Sequence, residues 1–463
     1  MANANLSAAK KAKKDEFYTQ YADIAREMEA YLDYDADAFR GKTVLLPCDD
    51  PEWSNFTRYF AENFERIGLK KLISTSYAFD AKKISIAYLP GFESLTAEAI
   101  RASPKFDKKK ERKRGKIFVL DEDTNRSGRI DLADLKWDYL NGDGDFRSDE
   151  VKALRDEADI IVTNPPFSLF REFLAWIVEA DKKFAVIGNM NAITYKEVFP
   201  LIMKNRMWLG ESIHSGDRQF GVPDFYELNA ATCGVDESGR KFIRVKGVRW
   251  FTNMEHERRH KPINLLTLRD NVKYSKHKEI KGVGYRMYDN YPALEVPYTD
   301  AIPSDYFENS LLTSVGGHVT MLTDRQTDRQ TDRQTDRQTD RQDCRIEGSW
   351  ACRLVSSTST AQSNLSSSVS RTTARTANTT CLRQPSTGAR SSSESSSGTG
   401  CNGIMGVPIS FLDKYCPEQF EIVGLDRYVE DNPHYGHRFT IEGRETYARI
   451  LIRHRKGEMP CGA

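Results

Sequence analysis

The chain of 463 residues has almost no net charge: 68 lysines and arginines stand against 67 aspartates and glutamates, a formal +1 at pH 7. That excludes a uniformly basic nucleic-acid binder and leaves any phosphate binding to local patches. No stretch reaches the roughly 18 consecutive apolar residues of a membrane span. The basic N-terminus "MANANLSAAKKAKKDEF" lacks the apolar h-region of a secretory signal. The eight cysteines include no CxxC pair, which argues against a zinc site or a disulfide scaffold and predicts a reduced, cytoplasmic protein. There is no HExxH, so His214, His256 and His260 are read as ordinary surface or core histidines and no metal is expected. A GxGxxG is missing too, which leaves a dinucleotide enzyme unsupported.

What is present is enough for two or three domains: 39% hydrophobic and 11% aromatic residues. Residues 15–40 have helical spacing at Tyr21, Ile24, Met28 and Tyr31. "KTVLLP", "KKLISTSYA", "KIFVLDE", "DIIVTNPPF" and "KKFAVIGNMNAI" read as strands, with "NFTRYFAENFERIGLK" and "SLFREFLAWIVEAD" as helices among them. Strands alternating with helices predict an α/β fold with a mostly parallel sheet and helices on both faces. Ligands in such sheets bind beyond the carboxyl ends of the strands. From about residue 207 turn signals and β-formers dominate, and "HRFTIEGRETYARILIRHRK" has the pattern of a hairpin. The expected division is a catalytic core over 1–210, a strand-rich remainder of the core with the DNA target-recognition region over 211–306 and 402–463, and a low-complexity, disordered insert over 307–401. The insert contains five copies of "TDRQ" from Thr323 to Gln342 and a Ser/Thr-rich tract without aromatics.

Three motifs carry candidate chemistry, two of them just past strands. Asn164-Pro165-Pro166-Phe167 follows "DIIVT" directly. The two prolines have no N–H and fix φ, and Asn164 is pushed toward extended geometry by Pro165. This stiff loop offers the Asn164 side-chain oxygen and the Pro165 carbonyl to a planar amino group, with Phe167 as an aromatic face. The plain alternative is a strand-exit turn with a buried Phe. "GDGDF" places Asp145 where it can accept from an adenine amino group with Phe146 on the ring, or it is simply a Gly/Asp turn. Asp49 and Asp50, past the first strand, suit an ammonium or ribose hydroxyls, or serve helix N-capping.

Taken in order, "KKDEFYTQ", "CDDPEWSNFTRYF", "GDGDFRSDE" and "VTNPPFSLFREF" resemble the EcoRI-type adenine-specific DNA methyltransferases, as do later segments such as "WLGESIHSGDRQFGVPD" and "GVPISFLDKYCPEQFEIVGL". The resemblance covers nearly all of residues 13–306 and 402–455. It implies a class I, Rossmann-like methyltransferase core using S-adenosyl-L-methionine. It also implies transfer to the exocyclic amino group of an adenine flipped out of double-stranded DNA. Under it, Asn164, Pro165, Pro166 and Phe167 are catalytic, while Tyr18, Thr19, Asp49, Asp50, Asp145 and Phe146 bind the cofactor. A monomer is expected, with a cognate restriction endonuclease acting on the same site as an implied partner.

Two other readings remain open on the residues alone: an amino methyltransferase acting on RNA or a protein glutamine, and an inactive, insert-disrupted DNA-binding protein. Phosphate contacts would fall to "KKKERKRGK" (Lys108 to Lys116), "ERRHK" (Glu257 to Lys261) or "RILIRHRK" (Arg449 to Lys456). A four-nucleotide unit such as ACAG, read in triplets, encodes Thr-Asp-Arg-Gln in every frame. The repeat is thus either a passive surface insert or a slippage-prone tract that switches the downstream frame.

Overall fold

The computed structural model describes residues 19–49, 54–78, 102–130, 132–214, 217–222, 233–236, 239, 241–307, 312–315, 318–321, 403–429 and 436–455. Tyr18, Asp50 and the TDRQ repeats lie outside them.

The chain enters through helix α1 (Tyr21–Tyr34), whose Ile24, Met28 and Tyr31 form one buried stripe. The helix is shorter than the spacing predicts. It stops where "DYDAD" brings poor helix formers, with Asp35 in extended geometry and its N–H bonded back to the Tyr31 carbonyl. The core then alternates as expected: β1 (Thr43–Leu46), α2 (Asn55–Glu62), β2 (Lys71–Ser76), α3 (Lys108–Lys113), β3 (Lys116–Leu120), β4 (Lys136–Tyr139), α4 (Asp149–Glu157), β5 (Ile160–Thr163), α5 (Phe170–Glu179) and β6 (Lys183–Asn189). Strands β7 (Trp208–Leu209), β8 (Asp217–Gly221), β9 (Cys233–Val235), β10 (Lys241–Lys246) and β11 (Val248–Thr252) follow.

Eight strands form one sheet in the order β4-β3-β2-β1-β5-β6-β11-β7. Only the centre, β2-β1-β5-β6, is parallel; β3, β4, β11 and β7 pair antiparallel. The expectation of a mostly parallel sheet is therefore corrected to a mixed one. Periodicity marks a strand but carries no sign of its direction, which here is set by connections that reach each edge from the opposite end. β1 and β5 are buried at every position, as strands covered on both faces must be. Val44, Leu46, Ile160 and Val162 point toward α1 and α2, whereas Leu45 and Ile161 point toward α5. The layer on the first face is pinned by Glu27, a fully buried carboxylate that accepts hydrogen bonds from the Tyr31 hydroxyl (2.6 Å), the backbone N–H of Glu211 (3.0 Å) and that of Ser212 (2.7 Å).

A second sheet joins β12 (Arg286–Met287), β13 (Leu294–Glu295), β16 (Met405–Pro408), β20 (Arg449–His454) and β17 (Phe420–Leu425), with one parallel pair, β13 with β16. Its apolar residues share a cluster with the α5 face of the main sheet. The hairpin expected over "HRFTIEGRETYARILIRHRK" is limited to β18 (Thr440–Ile441) and β19 (Arg444–Glu445); β20 instead lies between β16 and β17. Ile450, Leu451 and Ile452 are all fully buried, so that strand needs cover on both faces and neighbours on both edges. The stretch assigned to the insert opens with strand pairing of its own, β14 (Leu312–Val315) with β15 (His318–Met321) across "GG". Apart from Phe307, the rest of that stretch, up to residue 401, lies outside the described residues.

The "GDGDF" turn docks on the end of β2. Gly144 has φ +85°, and a Cβ there would sit 2.3 Å from the Ser76 carbonyl oxygen. Gly144→Ala should therefore destabilise the fold by about 2 kcal/mol or more, from the strained φ and the forced displacement together. Chemical denaturation read against Gly128→Ala, whose Cβ would meet open space, checks this.

Candidate active site

The carboxyl ends of β2, β1 and β5 lie side by side, and the sequence motifs meet there. Asp49, just beyond β1, is only 6% exposed. Its Oδ2 accepts a hydrogen bond from the Thr163 hydroxyl at the end of β5 (2.6 Å), and its Oδ1 accepts one from the Ser54 hydroxyl (2.8 Å). Its main-chain oxygen accepts from the Ser74 hydroxyl on β2. Ser54 is itself the N-cap of α2, accepting from the Phe56 N–H at 3.1 Å. The direct cap is thus Ser54, and Asp49 acts on the helix through it. One buried residue ties three strand ends and a helix start.

From Thr163 the chain runs into Asn164-Pro165-Pro166-Phe167. Pro165 is buried, and the Pro166 carbonyl accepts from the Leu169 N–H (2.9 Å), closing a 3₁₀ turn that leads into α5. The Asn164 amide nitrogen donates to the Thr19 hydroxyl at 3.3 Å. Thr19 is nearly buried, and its carbonyl accepts from the Asn55 side-chain amide at 2.7 Å. The N-terminal segment is thereby held against both the NPPF loop and the head of α2. With its nitrogen committed to Thr19, Asn164 presents Oδ1 as its acceptor. Phe167 is half-buried against the cluster of the α1 and α2 face.

The neighbouring strand end belongs to the "GDGDF" turn. The Asp143 carbonyl accepts from the Ala78 N–H (2.7 Å), and Glu150 on α4 accepts from the N–H groups of Asn141 (3.0 Å) and Gly142 (3.1 Å). Arg147 donates to both oxygens of Asp145 (2.9 and 2.7 Å) and holds that carboxyl below the usual range. The Tyr77 phenol is raised, by burial first and then by the carboxylates of Asp143 and Asp145 beside it. Phe146 is 5% exposed and packs edge-on against Phe173 (5.1 Å) and Trp176 (5.7 Å) of α5. Its ring belongs to the core, so what the turn brings to the strand ends is Asp143, Asp145 and the main chain between them.

Thr19 and Asn164 are therefore hydrogen-bonded to each other, and Asp49 is bonded to Thr163 and Ser54, the sequence neighbours of Asn164 and Asn55, with Asp145 one strand further along. Sequence reasoning missed Thr163, Ser54, Ser74 and Tyr77. Two of these carried a signal: Ser54 stands at the head of the amphipathic run "NFTRYF", an N-cap position, and Thr163 is the one hydroxyl in an otherwise apolar strand. The histidines lie elsewhere, each with its own partners. His214 is pushed down to about 4 by burial and by Arg258 and Arg249. His256 is buried against the Leu209 carbonyl (3.0 Å), and His260 lies between Glu255 and Glu418.

Residues 5–326 and 398–455 match the profile of the family described as adenine-specific methyltransferase EcoRI. The chain belongs to that family. It is 33% identical to the type II methyltransferase M.EcoRI of Escherichia coli over 454 residues, which cover 98% of this chain and 97% of the relative. It is 32% identical to the type II methyltransferase M.MpnI of Mycoplasma pneumoniae over 304 residues, 65% of this chain and 78% of that one. No solved structure matches it. The family match leaves out residues 327–397, which hold most of the repeat and the Ser/Thr-rich tract.

The Thr163 hydroxyl serves a buried carboxylate that has few ways to replace it. Thr163→Val should lower stability by about 2 kcal/mol, whereas Thr163→Ser should stay near the wild type; urea titration of the three proteins distinguishes them.

Proposed function

We propose that this enzyme transfers a methyl group from S-adenosyl-L-methionine to the N6 amino group of adenine within a specific site of double-stranded DNA, as the modification enzyme of a restriction-modification system. Membership of an adenine-specific family and similarity to type II methyltransferases support the reaction. The observation that carries the site is Asn164, held at the end of β5 by Thr19 and next in sequence to the Asp49–Thr163 pair.

The donor set fits the cofactor. Acceptor groups dominate the strand ends: the carboxylates of Asp49 and Asp145, the carbonyls of the NPPF loop and the hydroxyl of Thr19. These suit a ligand that carries an ammonium, ribose hydroxyls and an adenine amino group. When bound, the cofactor supplies an electrophilic methyl on a sulfonium. Asp145 would hold the adenine end and Asp49 the ribose or ammonium end. Tyr18 and Asp50, given the same role by the family resemblance, lie outside the described residues. Phe146 would contribute by fixing the turn from within the core.

Asn164 Oδ1 and the Pro165 carbonyl accept from the two N–H bonds of the target amino group. That pulls its lone pair out of conjugation and aims it along the line of transfer. Asp145 is held low by Arg147, and Asp49 already accepts from Thr163 and Ser54, so the reaction calls on neither as a base. Catalysis therefore rests on positioning and on preorganised acceptors, and the proton is lost after transfer. A base stacked in a duplex cannot reach a loop at the end of a buried strand, so the target adenine flips out, with Phe167 as the ring it stacks on. The chain acts as a monomer, and an endonuclease cutting the same site is its expected partner.

Asn164→Ala should reduce methyl transfer by about 100-fold or more while changing cofactor affinity only a few-fold. Transfer of labelled methyl to DNA and equilibrium binding of the cofactor separate the two effects. Joining residue 326 to residue 398 removes only what the family lacks. That deletion should retain at least the wild-type methylation level, scored by sequencing methylated adenines in DNA from expressing cells.

A further inference from the structure

Three stretches of the chain are basic enough to bind phosphate, and the structure separates them. In the second, the Arg258 Nε donates to the Asp413 carbonyl (2.8 Å) and Arg259 pairs with Glu255 (3.0 Å) while lying over the Trp208 ring. In the third, Arg449 pairs with Glu295 (3.2 Å), Arg453 pairs with Glu421 (2.7 Å), and Arg455 donates to the Phe420 carbonyl (3.3 Å). Both stretches hold the fold together and have little charge to offer outward.

The first differs in every respect. Helix α3 and Arg114 place six cations in seven consecutive residues. None of its residues is buried, so no apolar face explains its composition. Among the described residues the acids nearby are occupied, Asp138, whose carboxyl Lys110 also helps to lower, by an ion pair with Lys105 (3.2 Å). Asp107 caps the helix by accepting from the N–H groups of Lys109 (2.8 Å) and Lys110 (3.3 Å), and Glu111 pairs with the buried Lys116 (3.2 Å). Among the described residues, Lys109, Lys110 and Lys113 form no ion pair, and all three are exposed. Lys109 and Lys113 also face each other at i, i+4, a like-charge arrangement that costs a short helix stability unless an anion neutralises it.

Its position completes the picture. The helix leads through Gly115 into β3, whose Lys116 pairs with Ser76 at the carboxyl end of β2. The Gly115 N–H donates to the Gly142 carbonyl (3.0 Å), in the same turn that carries Asp145. The basic helix therefore stands at the catalytic end of the sheet. β3 is three strand spacings from β5, about 15 Å across the sheet. Along a duplex that distance is about four base pairs.

We propose that Lys109, Lys110 and Lys113 form a phosphate clamp that grips the DNA backbone about four base pairs from the flipped adenine, supplying affinity and orientation without reading bases. This rests on DNA being the substrate. The test is the triple variant Lys109→Ala, Lys110→Ala, Lys113→Ala in the full chain, which keeps strong helix formers in place. DNA binding is titrated from 50 to 200 mM salt, together with steady-state methylation. With three phosphates no longer neutralised, the slope of log affinity against log salt should fall by about 2.7. The variant should then lose about 40-fold less affinity than the wild type across that range. The KM for DNA should rise while kcat at saturating DNA stays within about two-fold, because no positioning acceptor has changed. An unchanged slope beside normal wild-type DNA methylation overturns the clamp alone. A wild-type chain that neither binds nor methylates DNA overturns the clamp and the proposed function together.

Discussion

The candidate active site depends on one buried carboxylate. Asp49 accepts from Ser54 and Thr163 through its side chain and from Ser74 through its main chain, so it is the common partner of β1, β2, β5 and the start of α2. A carboxylate this deep is tolerated only where donors converge on it, and each donor comes from a different element. The same bonds that satisfy Asp49 fix where Thr163 ends, and Thr163 fixes where Asn164 begins. The NPPF loop is stiff because of its prolines, but it is aimed because of Asp49 and Thr19.

This division of labour suits amino methylation with a pre-activated methyl donor. Asp145 is held low by Arg147, and Asp49 accepts one hydroxyl on each oxygen. What the site offers is a set of acceptors in a rigid frame. Rigidity is supplied from below by packing on both faces of β1 and β5, and from the side by a glycine turn that lets two main chains touch at Ser76. The basic helix beside that turn extends the acceptor-lined site outward with charge of the opposite sign, which places an electrostatic grip next to the chemistry.

Much of this is legible from residues alone. The strands of the parallel centre are visible as short apolar runs, and the NPPF loop as a motif placed just past one of them. Other features are not. Strand direction at the sheet edges has no periodic signature, so the mixed sheet reads as mostly parallel. Arg449–His454 looks like half a hairpin because local pattern cannot show that its partners are Met405–Pro408 and Phe420–Leu425. Phe146 looks like a ring for stacking on a ligand, because an aromatic next to an acid reads the same whether it faces a pocket or, as here, Phe173 and Trp176.

The sequence by itself determined the kind of chemistry: Asn before two prolines after a buried strand, with the accompanying family motifs, needs no coordinates to suggest amino methylation. It also marked residues 307–401 as an interruption of the family pattern, because the composition of most of that tract denies it a core. The tertiary structure decided which of several equivalent-looking side chains do which work. Asp49 and Asp145 are both acids after strands, yet one is a buried tie and the other an arginine-paired acceptor. Of the three basic runs, two are tied down by acids and carbonyls of the fold and one is left facing solvent. The physical reason is the same in each case. Burial and charge pairing depend on which partners the folded chain brings within reach, near or far in sequence, and residue type alone does not say which pairs form.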